Sequence, residues 1–139
     1  MFSPNTKFLV VDDFATMRKV VKKVLMELGY TDIHEAADGK LALEAIQQAK
    51  AVNQPFQCIV SDWNMPNMSG LELLKSCKAD PGLKDTPFML VTAESEKDQI
   101  IEAAKSGVSE YVVKPFNAAT LKEKLTRVYT KHFGAAKAA

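Results

Sequence analysis

Short runs of apolar and β-branched residues alternate along this chain with longer stretches in which apolar residues recur every three to four positions. This alternation is typical of βα units, in which parallel strands are joined by helices that cover the faces of a sheet. Five such units follow one another within 139 residues, a length that suits one compact domain. The sequence therefore predicts a single α/β domain over 1–133, with 134–139 as a disordered tail because that stretch has no periodic apolar face.

The boundaries of the elements follow from local signals. The predicted strands run from Lys7 to Val11, Thr31 to Ala36, Cys58 to Ser61, Phe88 to Val91 and Tyr111 to Val113. Gly29 and Gly107 are expected to end the first and fourth helices. The S-x-x-E form of Ser69-Gly-Leu-Glu72 predicts a capping box at the start of the third helix. Ser95-Glu-Lys-Asp98 is a similar start for the fourth helix, and Asn117 is a candidate N-cap for the fifth.

Composition argues against several classes of function. The 18 Lys and Arg against 17 Asp and Glu give a net charge of +1 without a basic run, so nucleic-acid binding is not expected. No apolar stretch is long enough to insert into a membrane, and the first residues do not form a secretory signal. Cys58 and Cys77 are expected to be reduced core thiols, and His34 and His132 lack metal-ligand spacing. These features predict a cytoplasmic protein.

Polar residues follow four of the five predicted strands at the edge where open parallel sheets bind ligands. Asp12 and Asp13 follow the first strand, Asp62 the third, Thr92 the fourth and Lys114 the fifth. A single Asp after a strand is most often a turn or cap residue. Three carboxylates at contact distance, however, repel by about 4 kcal/mol per pair at an effective dielectric constant near 20. The pattern therefore indicates a compensating cation.

Phosphoryl transfer accounts for all of these groups together. Mg²⁺ prefers oxygen ligands and takes one or two carboxylates together with phosphate oxygens. A lysine and a hydroxyl can then neutralise and orient the remaining phosphoryl oxygens. A carboxylate can act as the covalent nucleophile. Asp62 is the candidate nucleophile because it ends the central strand, whereas the Asp12-Asp13 pair is better placed to hold the metal.

The chain resembles the receiver domains of bacterial two-component systems in four segments, Val10-Val-Asp-Asp-Phe-Ala-Thr-Met-Arg18, Ser61-Asp-Trp-Asn-Met-Pro-Asn-Met68, Val91-Thr-Ala-Glu94 and Tyr111-Val-Val-Lys-Pro-Phe116. Matching segments run from about Lys7 to about Tyr129. Within the family the similarity is greatest to the stand-alone chemotaxis response regulators. The resemblance implies a flavodoxin-like (βα)5 three-layer sandwich with a parallel five-stranded sheet in the order 2-1-3-4-5.

The resemblance also implies a metal site and a phosphorylation site. It makes Asp62 the phosphoacceptor. It makes Asp13, Asp62 and the backbone carbonyl of Asn64 direct ligands of a Mg²⁺ cofactor, and Asp12 a ligand through water.

A switch and a partner surface are implied in the same way. Thr92 and Lys114 would contact the phosphoryl group, and Tyr111 matches an aromatic residue that turns inward when Thr92 is drawn to the phosphate. Lys114-Pro115 would be a cis peptide. The surface that the family presents to its motor target matches Lys97, Ile100, Tyr111 and Lys124.

The function implied is that of a signalling switch and not of an enzyme, since it would catalyse only its own phosphorylation and dephosphorylation. Its partners would be a histidine kinase, the flagellar motor switch protein and a phosphatase, and it would act as a monomer. A receiver in a phosphorelay or another two-component pathway is an alternative. An aspartyl-nucleophile phosphatase is less favoured because Asp62-Trp-Asn64 lacks a second acid. A flavodoxin-type FMN carrier is also less favoured because Asp-Asp-Phe14 is not a Ser/Thr/Gly-rich phosphate loop.

Two features depart from the family pattern. Ser69 stands where the family usually has Asp, and since both residues are good N-caps the helix start should be kept. The stretch from Gln47 to Gln57 is about five residues longer than usual, in a region where insertions are tolerated. Pro55 is expected to stop the second helix there.

Overall fold

Five strands alternate with five helices in the computed structural model, which describes residues 2–92 and 97–133. The strands are β1 (Lys7–Val11), β2 (Asp32–Ala36), β3 (Cys58–Asp62), β4 (Phe88–Thr92) and β5 (Glu110–Val113). The helices are α1 (Ala15–Glu27), α2 (Gly39–Ala51), α3 (Gly70–Ala79), α4 (Lys97–Lys105) and α5 (Ala118–Phe133). The predicted start of the fourth helix at Ser95, residues Ala93 and Glu94 of the resembling segment, and the predicted tail at 134–139 lie outside the described residues.

The strands form one parallel sheet in the order β2-β1-β3-β4-β5, which confirms the order that the resemblance implied. Alternate side chains of each strand point to opposite faces. Leu9 of β1 and Ile59 of β3 join a core with α2 and α3, whereas Val10 and Val60 join a second core with α1 and α5. The molecule is thus a three-layer sandwich, and burial of each such side chain contributes about 1.5–3 kcal/mol.

The burial of each strand explains how apolar its sequence is. All five residues of β3 and all five of β4 are buried, as expected for near-continuous apolar strands in the middle of a parallel sheet. In β2 only Ala36 is buried, because this strand lies at the edge of the sheet. This position accounts for its weaker apolar pattern.

Three helices end in a left-handed residue. Gly29 (φ +99°) and Gly107 (φ +85°) end α1 and α4 as predicted. The end of α2 differs from the prediction, because Asn53 (φ 60°) takes the left-handed position before Pro55 is reached. The N–H of Asn53 donates to the Lys50 carbonyl at 3.0 Å and the N–H of residue 54 to the carbonyl of residue 49 at 2.9 Å. Asn53 therefore terminates the helix, and Pro55 lies in the loop beyond.

The predicted caps of two helices are confirmed. The Ser69 hydroxyl accepts the N–H of Glu72, and the Glu72 carboxylate accepts the N–H of Ser69, both at 3.1 Å. Replacing the usual Asp by Ser at this position therefore leaves the capping box of α3 intact. At α5 the Asn117 side chain accepts the N–H of Thr120 at 2.9 Å.

The thiols and imidazoles occupy structural positions. Cys58 and Cys77 are unpaired and buried, and burial raises the pKa of Cys77 to about 11. His34 bonds to Asp32 at 2.7 Å, and His132 bonds to the Ser109 hydroxyl at 2.5 Å.

Across the described ranges, no helix has the length and apolar character needed to cross a membrane.

Candidate functional site

Three carboxylates meet at the carboxyl edge of the sheet. β1 and β3 are neighbours, with Val11 opposite Ser61, so the residues that follow lie side by side. Each of Asp12, Asp13 and Asp62 places a carboxylate oxygen within 4.8 Å of the other two. The structure thus brings together the three acids that the sequence analysis selected.

The turn after β1 fixes the orientation of Asp12, which is only 3% exposed. Its N–H donates to the Ala36 carbonyl at 3.2 Å, and its Oδ1 accepts the N–H of Phe14 at 2.9 Å. Its backbone carbonyl accepts a hydrogen bond from Arg18 Nη1 at 2.7 Å. With Oδ1 engaged in the turn, Oδ2 faces the ammonium group of Lys114.

Lys114 supplies the positive charge. Its Nζ lies 3.2 Å from Asp62 Oδ1 and 3.6 Å from Asp12 Oδ2. The backbone N–H of Lys114 donates to the Thr92 carbonyl at 2.7 Å, so the end of β4 positions this lysine. The Lys114-Pro115 peptide is cis, as the resemblance implied.

Among the described residues the charges of this cluster are only partly balanced, since Lys114 pairs with Asp12 and Asp62 and no ion pair is found for Asp13. Burial, and then the charge of Asp12, raises the pKa of Asp62, while Lys114 opposes the shift. Asp13 Oδ1 is buried and is the only such side-chain oxygen or nitrogen in the described part of the chain without a hydrogen-bond partner. An orphaned buried carboxylate oxygen beside two other acids is the arrangement expected of a cation ligand.

Thr92 and Tyr111 lie on neighbouring strands next to this cluster. Thr92 is buried at the end of β4, and its Oγ1 lies 3.4 Å from Gln99 Oε1 on α4. Tyr111 pairs with Leu90 in the sheet register and is half-buried. Thr92 lies two residues beyond Leu90 on β4 and pairs with Val113, two residues beyond Tyr111 on β5, so Thr92 and Tyr111 belong to the same face of the sheet.

Two of the four residues predicted to bind a partner, Tyr111 and Lys124, are in contact. Lys124 Nζ lies 5.0 Å from the centre of the Tyr111 ring, within cation–π range, and 3.6 Å from Glu110 Oε1. Ile100 is half-buried on α4. The side chain of Lys97 lies outside the described residues.

The loop between β3 and α3 carries Asn64, which is exposed. The start of this loop is anchored, because the N–H of Trp63 donates to the Val91 carbonyl at 3.0 Å and its carbonyl accepts the N–H of Gly70 at 2.8 Å. Sequence analysis missed a further contact, from Asn67 Nδ2 to Asp38 Oδ2 at 2.9 Å. Asp38 directly precedes an apolar helical pattern, so its role as an N-cap can be predicted from the sequence. Its hydrogen bond to Asn67 cannot, because no local pattern relates the two residues.

A family model for the response regulator receiver domain matches residues 8–126 of this chain. The chain belongs to that family. This receiver domain is 47% identical over 131 residues to the chemotaxis protein CheY-3 of Vibrio cholerae, covering 94% of the chain and 97% of the relative. It is 48% identical over 125 residues to the chemotaxis protein CheY of Pseudomonas aeruginosa, covering 90% and 97%. It is thus a CheY-like chemotaxis response regulator.

Solved receiver structures have the same fold. Vibrio cholerae CheY4 superimposes with a TM-score of 0.79 at 37% identity, over 89% of this receiver and 98% of that chain. The receiver domain of the Francisella response regulator 1452 gives a TM-score of 0.77 at 32% identity, over 91% and 98%. Receiver domains are signalling switches that bind Mg²⁺ at an acidic pocket. The family assignment favours the signalling function over the phosphatase and the FMN carrier considered above.

Proposed function

We propose that this receiver is phosphorylated on Asp62 by a partner histidine kinase in a Mg²⁺-dependent reaction, and that the phosphorylated form binds the flagellar motor switch protein. The observation that carries the proposal is the meeting of Asp62 with Lys114 and two further carboxylates at one edge of the sheet. In this proposal the receiver domain spans 1–133 and acts as a monomer in the cytoplasm. A phosphatase helps to return it to the unphosphorylated state.

The acidic cluster fits a magnesium ion. Asp13 and Asp62 would bind it directly together with the backbone carbonyl of Asn64, and Asp12 would bind through water. The orphaned Asp13 oxygen supports this assignment, because an unsatisfied buried polar group costs about 1–3 kcal/mol and a cation would satisfy it. When bound, Mg²⁺ neutralises negative charge on the phosphoryl oxygens during transfer.

The transfer step assigns a separate role to each side chain. A carboxylate oxygen of Asp62 forms a bond to phosphorus while the bond from phosphorus to the imidazole nitrogen of the donor breaks, and that electron pair stays on the imidazole. Lys114, already 3.2 Å from Asp62, pairs with a phosphoryl oxygen. The Thr92 hydroxyl donates a hydrogen bond to another oxygen of the group.

Magnesium is expected to stabilise the unmodified protein, because it relieves repulsion among the three acids. Any ligand that binds only the folded state stabilises it by mass action, by about 2.7 kcal/mol at 100 times its Kd. Thermal unfolding across a Mg²⁺ titration measures this effect as a rise in Tm. The Asp13→Ala variant should lose the rise.

Asp32→Ala is the matched control, since Asp32 is a carboxylate at the start of β2, at the opposite end of the sheet. This variant should keep the full Mg²⁺ response. A parent protein whose Tm does not change over a wide range of Mg²⁺ would contradict the metal site.

The switch in the proposal runs from Thr92 to Tyr111. Movement of the Thr92 hydroxyl toward the phosphoryl group would vacate space beside β5 that the half-buried Tyr111 ring can fill. Burial of an aromatic ring contributes on the order of a few kcal/mol, whereas a shift from 1:99 to 99:1 takes about 5.5 kcal/mol. Phosphorylation and target binding together can therefore supply the free energy for a shift of this size, and neither has to supply all of it alone. The residues proposed to contact the target are Lys97, Ile100, Tyr111 and Lys124.

Thr92→Ala is expected to allow phosphorylation but to reduce the gain in target affinity that phosphorylation brings. Tyr111→Trp, with more apolar area, should favour the inward state and raise affinity. The measurement is the Kd for purified motor switch protein with and without a stable phosphoryl mimic on Asp62. By linkage, the target should favour phosphorylation by the same factor. Equal enhancement in the parent and in Thr92→Ala would refute this route while leaving Asp62 as the acceptor.

A further inference from the structure

The loop from Trp63 to Ser69 is held at two points by the start of α2. Asn67 Nδ2 donates to Asp38 Oδ2 at 2.9 Å, and the N–H of Gly39 donates to the Met68 carbonyl at 3.2 Å. The approach is close, since a Cβ on Gly39 would collide with the Met68 carbonyl oxygen. A helix 29 residues earlier in the chain thus fixes the loop that follows the proposed phosphoacceptor.

Both oxygens of the Asp38 carboxylate are engaged. While Oδ2 accepts from Asn67, Oδ1 accepts the N–H of Leu41 at 2.8 Å and so caps α2. The hydrogen bonds from Leu41 and then Asn67 lower the pKa of Asp38, which keeps the carboxylate ionised. Asn67 itself has a left-handed backbone (φ 68°), a conformation that asparagine adopts more readily than most residues other than glycine.

Asn64 lies in the middle of this restrained loop. On its N-terminal side, Trp63 is bonded to Val91 and Gly70, and on its C-terminal side Asn67 is bonded to Asp38. Because both flanks are held, the backbone at Asn64 is restrained before any ligand arrives. Such preorganisation lowers the entropy lost on binding.

We propose that Asp38 is a positioning residue for the metal and phosphoryl site, which it serves by holding the β3–α3 loop through Asn67. The inference rests on the proposed function, because it assigns Asn64 a place among the magnesium ligands. Asp38 touches neither the metal nor the phosphoryl group in this role. It acts through the loop, as outer-shell partners of metal ligands do.

A swap of the two side chains tests the hydrogen bond itself. Asp38→Asn keeps an acceptor for the Leu41 N–H, but it replaces the charge-assisted hydrogen bond from Asn67 by a bond between two neutral amides, which is roughly half as strong. Asn67→Asp places two carboxylates against each other. In the double variant the Asn introduced at 38 donates to the Asp introduced at 67, and Asp tolerates the left-handed backbone as Asn does.

Magnesium binding to the purified full chain is measured by calorimetry, with the fluorescence of Trp63, the only tryptophan, as a second readout. Asn67→Asp should bind Mg²⁺ about tenfold more weakly than the parent, and Asp38→Asn should also bind it more weakly. The double variant should return to within about threefold of the parent. The control is Asp80→Asn, because Asp80 also accepts from a backbone N–H (Gly82, 2.9 Å) and a side chain (Lys50, 3.1 Å), but at the far end of α3.

The outcomes separate the inference from the proposed function. If the parent binds Mg²⁺ and both single variants bind it equally well, the positioning role is wrong and the proposed metal site stands. If the parent itself does not bind Mg²⁺, both are wrong. A variant that melts at lower temperature without Mg²⁺ yet keeps the parent affinity shows that Asp38 is only a structural cap, which also overturns the inference. Recovery in the double variant supports it.

Discussion

The Asp62→Asn variant is expected to lose phosphorylation completely. Incubation of the parent with Mg²⁺ and a small phosphodonor such as acetyl phosphate should add the mass of one phosphoryl group, measured on the intact protein. In the variant a neutral amide replaces the carboxylate nucleophile, and the covalent step has no acceptor. This is the largest effect expected of any single substitution in the chain, because the product itself disappears.

The same substitution should not unfold the protein. Asn has nearly the shape of Asp, and removing one of three clustered negative charges relieves repulsion with Asp12, which already raises the pKa of Asp62. Lys114 keeps its second partner, Asp12, at 3.6 Å. The Tm of the variant without Mg²⁺ should therefore equal or exceed that of the parent, which separates a chemical loss from a folding loss.

Asp80→Asn provides the matched control, because it makes the same chemical change away from the site and should be modified like the parent. Omitting Mg²⁺ from the parent reaction should also suppress the added mass. Modification of Asp62→Asn to the same extent as the parent would show that another side chain is the acceptor, and peptide mapping would then identify it.

Local sequence signals predicted most of the fold, because each is satisfied within a few residues. The left-handed glycines at 29 and 107 and the Ser69 capping box are examples, since their hydrogen bonds close within one helical turn. The order of the strands is not a local property, because it depends on pairing between strands that are far apart in the sequence. It was predicted from the family resemblance and not from the periodicity of apolar residues.

The three acids were predictable because parallel strands end at one edge of a sheet, so the residues after β1 and β3 must be neighbours. The bond between Asp38 and Asn67 was not, because it joins two loops whose separation depends on how α2 packs beside α3. The end of α2 was misjudged for a related reason. Proline is the stronger sequence signal, but Asn53 can adopt the left-handed backbone and ends the helix first.

Gly70 is another position where a tertiary contact overrides local helix preference. As the first residue of α3, it would gain helix propensity on replacement by alanine, by up to about 1 kcal/mol. A Cβ there, however, would fall on the backbone carbonyl oxygen of Asp62 and lie 2.8 Å from Leu90 Cδ2. Neither neighbour can yield easily, because Asp62 ends a buried central strand and Leu90 is fully buried.

Gly70→Ala is therefore expected to destabilise the protein by about 1–2 kcal/mol, since overpacking in a tight core costs about 1–3 kcal/mol and the gain in helix propensity offsets up to about 1 kcal/mol of it. For a chain of this size the Tm should fall by roughly 5 °C. Because the displaced atom is the Asp62 carbonyl, the start of α3 and the loop before it should also shift, and Mg²⁺ affinity should fall in the folded protein.

Gly82→Ala is the control that decides between a general and a local effect. A Cβ on Gly82 would collide with the end of the Lys50 side chain, which can move into solvent at little cost, and would lie 3.4 Å from Asp80 Oδ1, which is an ordinary contact. Its Tm should stay close to that of the parent, with unchanged Mg²⁺ affinity. If Gly70→Ala and Gly82→Ala melted at the same temperature, the backbone of β3 would be free to yield at Asp62, and the close approach of α3 could not be what sets the position of Asp62.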